Sequence, residues 1–139
     1  MKNKKHYYDG RFYELVIDPA LGEIREIIIK QIETKAKVVD LGCGTGALAL
    51  ELASKCSEVV GVELSAKMVT LAKKRQTERG INNLNFIQAD ATALPAFRDK
   101  SFDYAVISMV IHEMSSVTRI AILKEARRLA KKVIVADYL

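Results

Sequence analysis

Two rhythms of apolar residues alternate along this chain. Asp18-Pro19 opens the first helix, since Asp18 can cap free backbone N–H groups and proline suits the first helical position. Ile24, Ile27, Ile28 and Ile32 then recur at helical spacing as one stripe. Ala36 to Leu41 is a short, β-branched, apolar run stopping at Gly42, which reads as a buried strand. Gly46 to Lys55 reads as a helix with Leu48, Leu52 and Ala53 turned inward, and Val59 to Leu64 as a second strand. Ser65 caps a helix that runs to about Arg79 and stops at Gly80, a C-terminal glycine signal. Asn85 to Ala89 is a third strand, followed by a loop from Ala91 to Lys100 that contains Pro95. Phe102 to Ser108 is a fourth strand. Ser115 or Ser116 caps a helix reaching about Ala130, and Val133 to Ala136 is a fifth strand.

Helices and strands in strict alternation predict an α/β fold, a parallel sheet covered on both faces with right-handed crossovers. Ligands of such sheets lie beyond the carboxyl ends of the strands, where the strand order reverses. Those ends carry Asp40-Leu41-Gly42-Cys43-Gly44-Thr45-Gly46, then Glu63, then Asp90, then Ser108 to Glu113. Polar and acidic residues therefore gather along one edge.

Composition changes this picture little. With 139 residues, 50% hydrophobic and 28% charged, the chain is one ordinary domain, neither disordered nor fibrous. Two cysteines, Cys43 and Cys56, make no disulfide framework, and a reducing, cytoplasmic location is expected. No Cys/His spacing suggests zinc, so no metal is expected. The longest apolar run, Tyr104 to Ile111, is too short for a membrane span. The net charge of +5 is spread over Lys2, Lys4 and Lys5; Lys73, Lys74 and Arg75; and Arg127, Arg128, Lys131 and Lys132. These read as solvated helix faces; a nucleic-acid binder would gather them on one face among aromatics, although an RNA substrate stays open.

Three glycines between a strand and a helix allow a tight turn and a close ligand. Gly42 makes the turn, Gly44 permits the approach, and Gly46 lets the helix pack on the strand. The letters Gly42-x-Gly44-x-x-Ala47, with Glu63 downstream, also fit a dinucleotide fingerprint. Asp40 disfavours that reading, because a carboxylate beside a pyrophosphate repels it and beside a cationic ligand attracts.

Val38-Val39-Asp40-Leu41-Gly42-Cys43-Gly44-Thr45-Gly46 resembles motif I of the class I S-adenosylmethionine-dependent methyltransferases. Val60 to Ser65, Phe86 to Ala91 and Ser101 to Val106 resemble their second-, third- and fourth-strand motifs. The resemblance implies a Rossmann-like doubly wound sheet and S-adenosylmethionine as cofactor. It implies that Glu63 accepts from the ribose hydroxyls, Leu64 packs on the adenine, Asp90 accepts from the adenine amino group, and the Ala91 N–H meets a ring nitrogen. The glycine loop then lines the methionine portion, with Asp40 near its positive charge and Ser108 on the same edge. Cys43 is read as a small, inert side chain and Cys56 as closing a helix.

The candidate base is His112, with Glu113 beside it; the alternative is a histidine that packs under the cofactor or caps the next helix. The aromatic segment Tyr7 to Tyr13 resembles the leader of ubiquinone/menaquinone-type methyltransferases, where Tyr8 or Tyr13 could close the site. Residues 1–34 are thus expected to form a leader and helix over the site, and residues 35–139 the cofactor-binding core. The expected activity is methyl transfer to a small-molecule acceptor. A non-catalytic cofactor-binding or regulatory domain is the alternative, and a nicotinamide oxidoreductase the lesser one. No Asn-Pro-Pro-Tyr or Asp-Pro-Pro-Tyr string follows the fourth strand, which counts against exocyclic or amide nitrogen acceptors. The family's sheet continues past a fifth strand. The expectation is therefore either a fragment of a longer protein or a homodimer through the edge strand Val133 to Ala136, with cofactor binding kept and methyl transfer weak or absent.

Overall fold

A computed structural model of the chain describes residues 22–137. The Asp18-Pro19 helix start, His6, Tyr8 and Tyr13 lie outside the described residues. The elements are α1 (Gly22–Gln31), β1 (Lys37–Leu41), α2 (Ala47–Leu52), β2 (Glu58–Glu63), α3 (Ala66–Arg79), β3 (Leu84–Gln88), β4 (Phe102–Ser108), a 3-10 turn (Ile111–Glu113), α4 (Ser116–Leu129) and β5 (Ala130–Ala136). The strands form one parallel sheet in the order β3-β2-β1-β4-β5. The order reverses between β1 and β4, which puts a ligand crevice at their carboxyl ends.

Alternation along the strands divides the core. Val38, Val59, Phe86, Tyr104 and Val106 face one side, packed with Ile28 and Ile32, with Leu48 and Leu52 of α2, and with Val69 and Ala72 of α3. Val39, Val60, Val62, Ala105 and Ile107 face the other side, against Leu94 and against Ile122, Ala126 and Leu129 of α4. The doubly wound arrangement follows directly, because β-branched residues on both strand faces need a helix layer on each.

Capping sets the helix limits. The Ser65 hydroxyl accepts from the Met68 N–H and the Ser115 hydroxyl from the Thr118 N–H, which makes Ser115, not Ser116, the cap of α4. Gly80 ends α3 at φ 62°.

Several local expectations need correction. Ile27 is 61% exposed, because the buried stripe of α1 is narrower than the run of isoleucines and takes only Ile28 fully, with Ile24 and Ile29 partly packed. Helix α2 stops at Leu52, so Cys56 lies beyond it, buried in the turn into β2 with its carbonyl accepting from the Asn83 amide. Strand β3 spans Leu84–Gln88, one residue earlier than the pattern suggested, and Asp90 sits two residues past its end. Strand β5 begins at Ala130, directly after α4, and not at Val133. Ala130 is buried opposite Phe102, and exposed Lys131 and Lys132 are tolerated because β5 is an edge.

The loop after β3 is tied to α4. Glu125 accepts from the Leu94 N–H, and Arg128 donates to the carbonyls of Leu94 and Phe97 and to Asp99. Arg128 also donates to Glu125 itself, and that bond, followed by the one from the Leu94 N–H, holds the Glu125 carboxyl below its ordinary range.

Candidate functional site

The carboxyl ends of β1, β2 and β4, with the segments that follow them, bring together Asp40, the glycine loop, Glu63 and the turn carrying His112. Gly42, Gly44 and Gly46 all adopt positive φ, at 77°, 57° and 86°. The turn is anchored inward: the N–H groups of Gly42 and Cys43 both donate to the Val62 carbonyl, at 2.8 and 2.9 Å, and the Gly46 N–H donates to the Cys43 carbonyl. The Gly44 N–H donates to Glu63 Oε1 at 3.1 Å, and the Ser65 N–H to Glu63 Oε2 at 2.7 Å. From α3, Arg75 donates to the Thr45 carbonyl and hydroxyl, a brace that nothing in the motif announces. Val110, after β4, lies over Gly42, where a methyl group would come within 3.1 Å of its Cγ1.

Gly46 and Gly61 have a tighter reason to lack side chains. A methyl group on Gly46 would fall 2.5 Å from Phe86 Cζ, and one on Gly61 2.6 Å from Phe86 Cδ1. The ring of Phe86 thus fills the space beneath the loop, so Gly46 answers to an aromatic ring from β3 and to Ala72 of α3 as well as to the strand below it.

Asp40 is 2% exposed. Burial, reinforced by the charge of Glu63, pushes its carboxyl up to about 7. The Cys43 thiol is pushed well above its usual range, first by burial and then by Asp40 and Glu63, which leaves it unreactive. Leu64, next to Glu63, is a large apolar side chain left 68% exposed. Asp90 uses Oδ1 to accept from the Thr92 N–H and hydroxyl, bonds that hold its carboxyl low. Ala91 beside it is half-buried, as is Ser108 at the end of β4, opposite Ala136. His112 sits in the turn after β4 with Nδ1 2.6 Å from Asp137 Oδ1 and Nε2 3.5 Å from Glu113 Oε1. Asp137 comes directly after β5, on the same edge of the sheet where Glu63 ends β2.

A positively charged adenosyl ligand fits these residues, and a pyrophosphate does not. Three successive N–H groups of the loop are spent on Val62 and Glu63, so few remain for phosphate oxygens. The charge of Glu63 adds to the cost of ionising buried Asp40, which a nearby cation relieves. Each Glu63 oxygen keeps acceptor capacity beyond its backbone bond, enough for two ribose hydroxyls.

Asp40 yields a testable consequence. Its carboxyl titrates higher in the folded chain than the ordinary 3.8, so between about pH 4 and 7 the folded chain holds a proton that the unfolded chain has lost. Its contribution to stability therefore falls as pH rises through that window. Asp40→Asn should stabilise the ligand-free chain by ~1–2 kcal/mol at pH 8, since the amide avoids ionisation but still buries a polar group. Denaturation at pH 5 and pH 8 should show that gain growing with pH; an equal effect at both would refute it.

Such a parallel α/β domain, with its cleft at the switch point and an acid closing the glycine loop, belongs to the class that binds adenosine-containing cofactors. The particular family follows from comparison with known proteins. A methyltransferase domain family model matches residues 38–133, and the chain belongs to that family. The family's cofactor is S-adenosylmethionine. Among relatives, the chain is 32% identical over 133 residues to the uncharacterized methyltransferase YcgJ of Bacillus subtilis, covering 94% of this chain and 49% of YcgJ. It is 33% identical over 107 residues to a demethylmenaquinone methyltransferase of Bacillus velezensis, covering 74% and 44%. The crystal structure of YcgJ superposes with a TM-score of 0.76 at 29% identity, covering 84% of this chain and 50% of that one. The chain thus spans about half the length of the relatives it matches.

Proposed function

We propose that this chain holds S-adenosylmethionine at the carboxyl edge of its sheet and directs its methyl group to a small-molecule acceptor. The observation that carries the reading is the glycine loop closed by Glu63 above a buried, otherwise costly Asp40. Glu63 is assigned to the ribose, exposed Leu64 to the adenine face, and Asp90 and the Ala91 N–H to the adenine edge. Gly42, Gly44, Gly46 and Asp40 are assigned to the methionine portion, with Ser108 at its border. Residues 1–34 are assigned as a leader and helix over this site, with Tyr8 and Tyr13 closing it, and residues 35–139 as the core. His112 is the candidate base.

When bound, S-adenosylmethionine supplies a methyl group on a positively charged sulfur that departs as a neutral thioether. The protein's share is to hold donor and acceptor in line, and such positioning can remove ~7–11 kcal/mol from a barrier. A base contributes only where the acceptor must lose a proton.

A small acceptor is supported by the basic residues, many of which pair with neighbouring acids instead of forming one face: Lys37 with Glu58, Lys74 with Glu78, Lys131 with Asp103 and Arg128 with Asp99. The relative named for demethylmenaquinone adds weight to a small-molecule class. A cytoplasmic setting agrees with two free thiols, Cys43 and Cys56. Among the described residues no helix is long and apolar enough to cross a membrane. The outer edge of β5, with Val135 46% exposed, is assigned to a second copy of the chain.

Incubation with methyl-labelled S-adenosylmethionine and a panel of phenolic, quinol, thiol and amine acceptors tests the activity. Label in one small-molecule product is expected. A chain that binds the cofactor and labels none of these classes would favour the non-catalytic reading. Light scattering on the same sample should give twice the monomer mass, and a monomer at all concentrations would remove the dimer.

A further inference from the structure

The turn after β4 is held by β5 through one side chain. Asp137, at the end of β5, accepts the His112 backbone N–H on Oδ2 at 3.0 Å and meets His112 Nδ1 with Oδ1 at 2.6 Å. Its side chain is 7% exposed, whereas that of His112 is 33% exposed. The same turn is fixed at its start by the Met109 N–H, which donates to the Ala136 carbonyl at 2.7 Å, Met109 itself standing at φ 57°. From α4, Arg119 donates to the carbonyls of Ile111 and His112. Among the described residues, the charged groups around the imidazole include Asp137 after β5, Glu113 from the turn itself and Arg119 from α4, the last engaging carbonyl oxygens.

We propose that Asp137 is the positioning residue of His112: one oxygen fixes the turn, the other fixes the imidazole as the Nδ1–H tautomer, and Nε2 is left as the basic nitrogen. The reasoning is one of donor and acceptor. An ionised carboxylate can only accept, so a 2.6 Å contact requires the hydrogen on Nδ1. In the neutral ring Nε2 then carries the lone pair. Glu113 Oε1 lies 3.5 Å from Nε2. A proton taken by His112 is thus received between two carboxylates, Asp137 and Glu113.

This inference rests on the methyltransferase reading and adds the proton's path to it. For an acceptor X–H, a lone pair on X would form the X–CH3 bond, the X–H pair would stay on X, and the proton would go to the lone pair of His112 Nε2. The sulfur–carbon pair stays on sulfur, which leaves as a thioether. Charge balances: a sulfonium and a neutral imidazole become a neutral thioether and an imidazolium.

Nitrogen-15 NMR of the whole chain at alkaline pH reads the tautomer directly. The chain has two histidines, and a His6→Gln variant assigns the signals of His112. The expected spectrum has a pyrrole-type Nδ1 and a pyridine-type Nε2. Asp137→Ala should shift His112 toward the Nε2–H form that free imidazole prefers, and Asp137→Glu should restore part of the parent pattern. An Nε2–H tautomer in the parent overturns the proposal even if Asp137→Ala fails to fold, and so does an unchanged tautomer in a folded Asp137→Ala. Calorimetry with S-adenosylhomocysteine on the same samples separates the two claims. Binding with the wrong tautomer sinks only the role of Asp137, whereas the right tautomer without binding sinks the methyltransferase reading.

Discussion

Replacing Glu63 with alanine is expected to weaken binding of S-adenosylhomocysteine by about 2–3 kcal/mol, roughly 30- to 150-fold. Two losses combine. The ribose hydroxyls lose a charged acceptor, and the N–H groups of Gly44 and Ser65 lose the carboxylate that now joins the glycine loop to the start of α3. Glu63→Gln should not rescue binding, because the Gly44 and Ser65 N–H groups meet separate carboxylate oxygens and the amide nitrogen must face one of them. Asp90→Ala should cost less, since water can replace part of a contact at an exposed residue. Calorimetric titration gives the affinities and circular dichroism confirms the folds. If Glu63→Ala bound like the parent, the ribose role would be wrong.

Gly46→Ala is expected to be the most destabilising single methyl in the loop, at roughly 2–5 kcal/mol. Left-handed backbone costs a non-glycine residue about 1–2 kcal/mol, and overpacking about 1–3 more. The backbone sits at φ 86°, and the added carbon lies 2.5 Å from Phe86 Cζ and 3.1 Å from Ala72 Cβ. Gly61→Ala has only the second problem, with the carbon 2.6 Å from Phe86 Cδ1 and 3.0 Å from Cys43 Sγ. A double-mutant cycle with Phe86→Leu separates these terms. The smaller leucine should recover most of the Gly61→Ala loss but only part of the Gly46→Ala loss, because the backbone strain remains. Denaturant unfolding of the five variants, three single and two double, against the parent reads it. Simple additivity would mean that the ring of Phe86 is not what excludes side chains from this loop.

The chain order of elements was legible because short apolar runs alternate with capped helices, and the first two strands are β-branched runs ending at glycine or an acid, as at Val38 to Gly42 and Val59 to Glu63. Limits were less legible wherever tertiary contact decides them. Ala130 to Lys132 carries helix-compatible residues, and only its pairing with Phe102 and Tyr104 makes it strand. Ile27 follows the helical stripe yet faces outward, since the sheet offers α1 a narrow contact. In the site, Asp40 and Glu63 could be found from their places at strand ends. The same signal marks Asp137, but its partner His112 lies 25 residues upstream, and only the β4–β5 pairing brings them together. In the sequence Phe86 is only the start of the third-strand motif, and Arg75 reads as a surface cation. Their work on the glycine loop depends on how β3 and α3 pack against β2.

Calorimetric titration of the full chain with S-adenosylmethionine, S-adenosylhomocysteine and NAD, side by side, tests the central claim most directly. The arrangement of Asp40, Glu63 and a loop whose N–H groups are already engaged predicts one molar equivalent of either sulfur ligand bound and no measurable binding of NAD. Tighter binding of NAD, or a folded chain that takes up neither sulfur ligand, would contradict it.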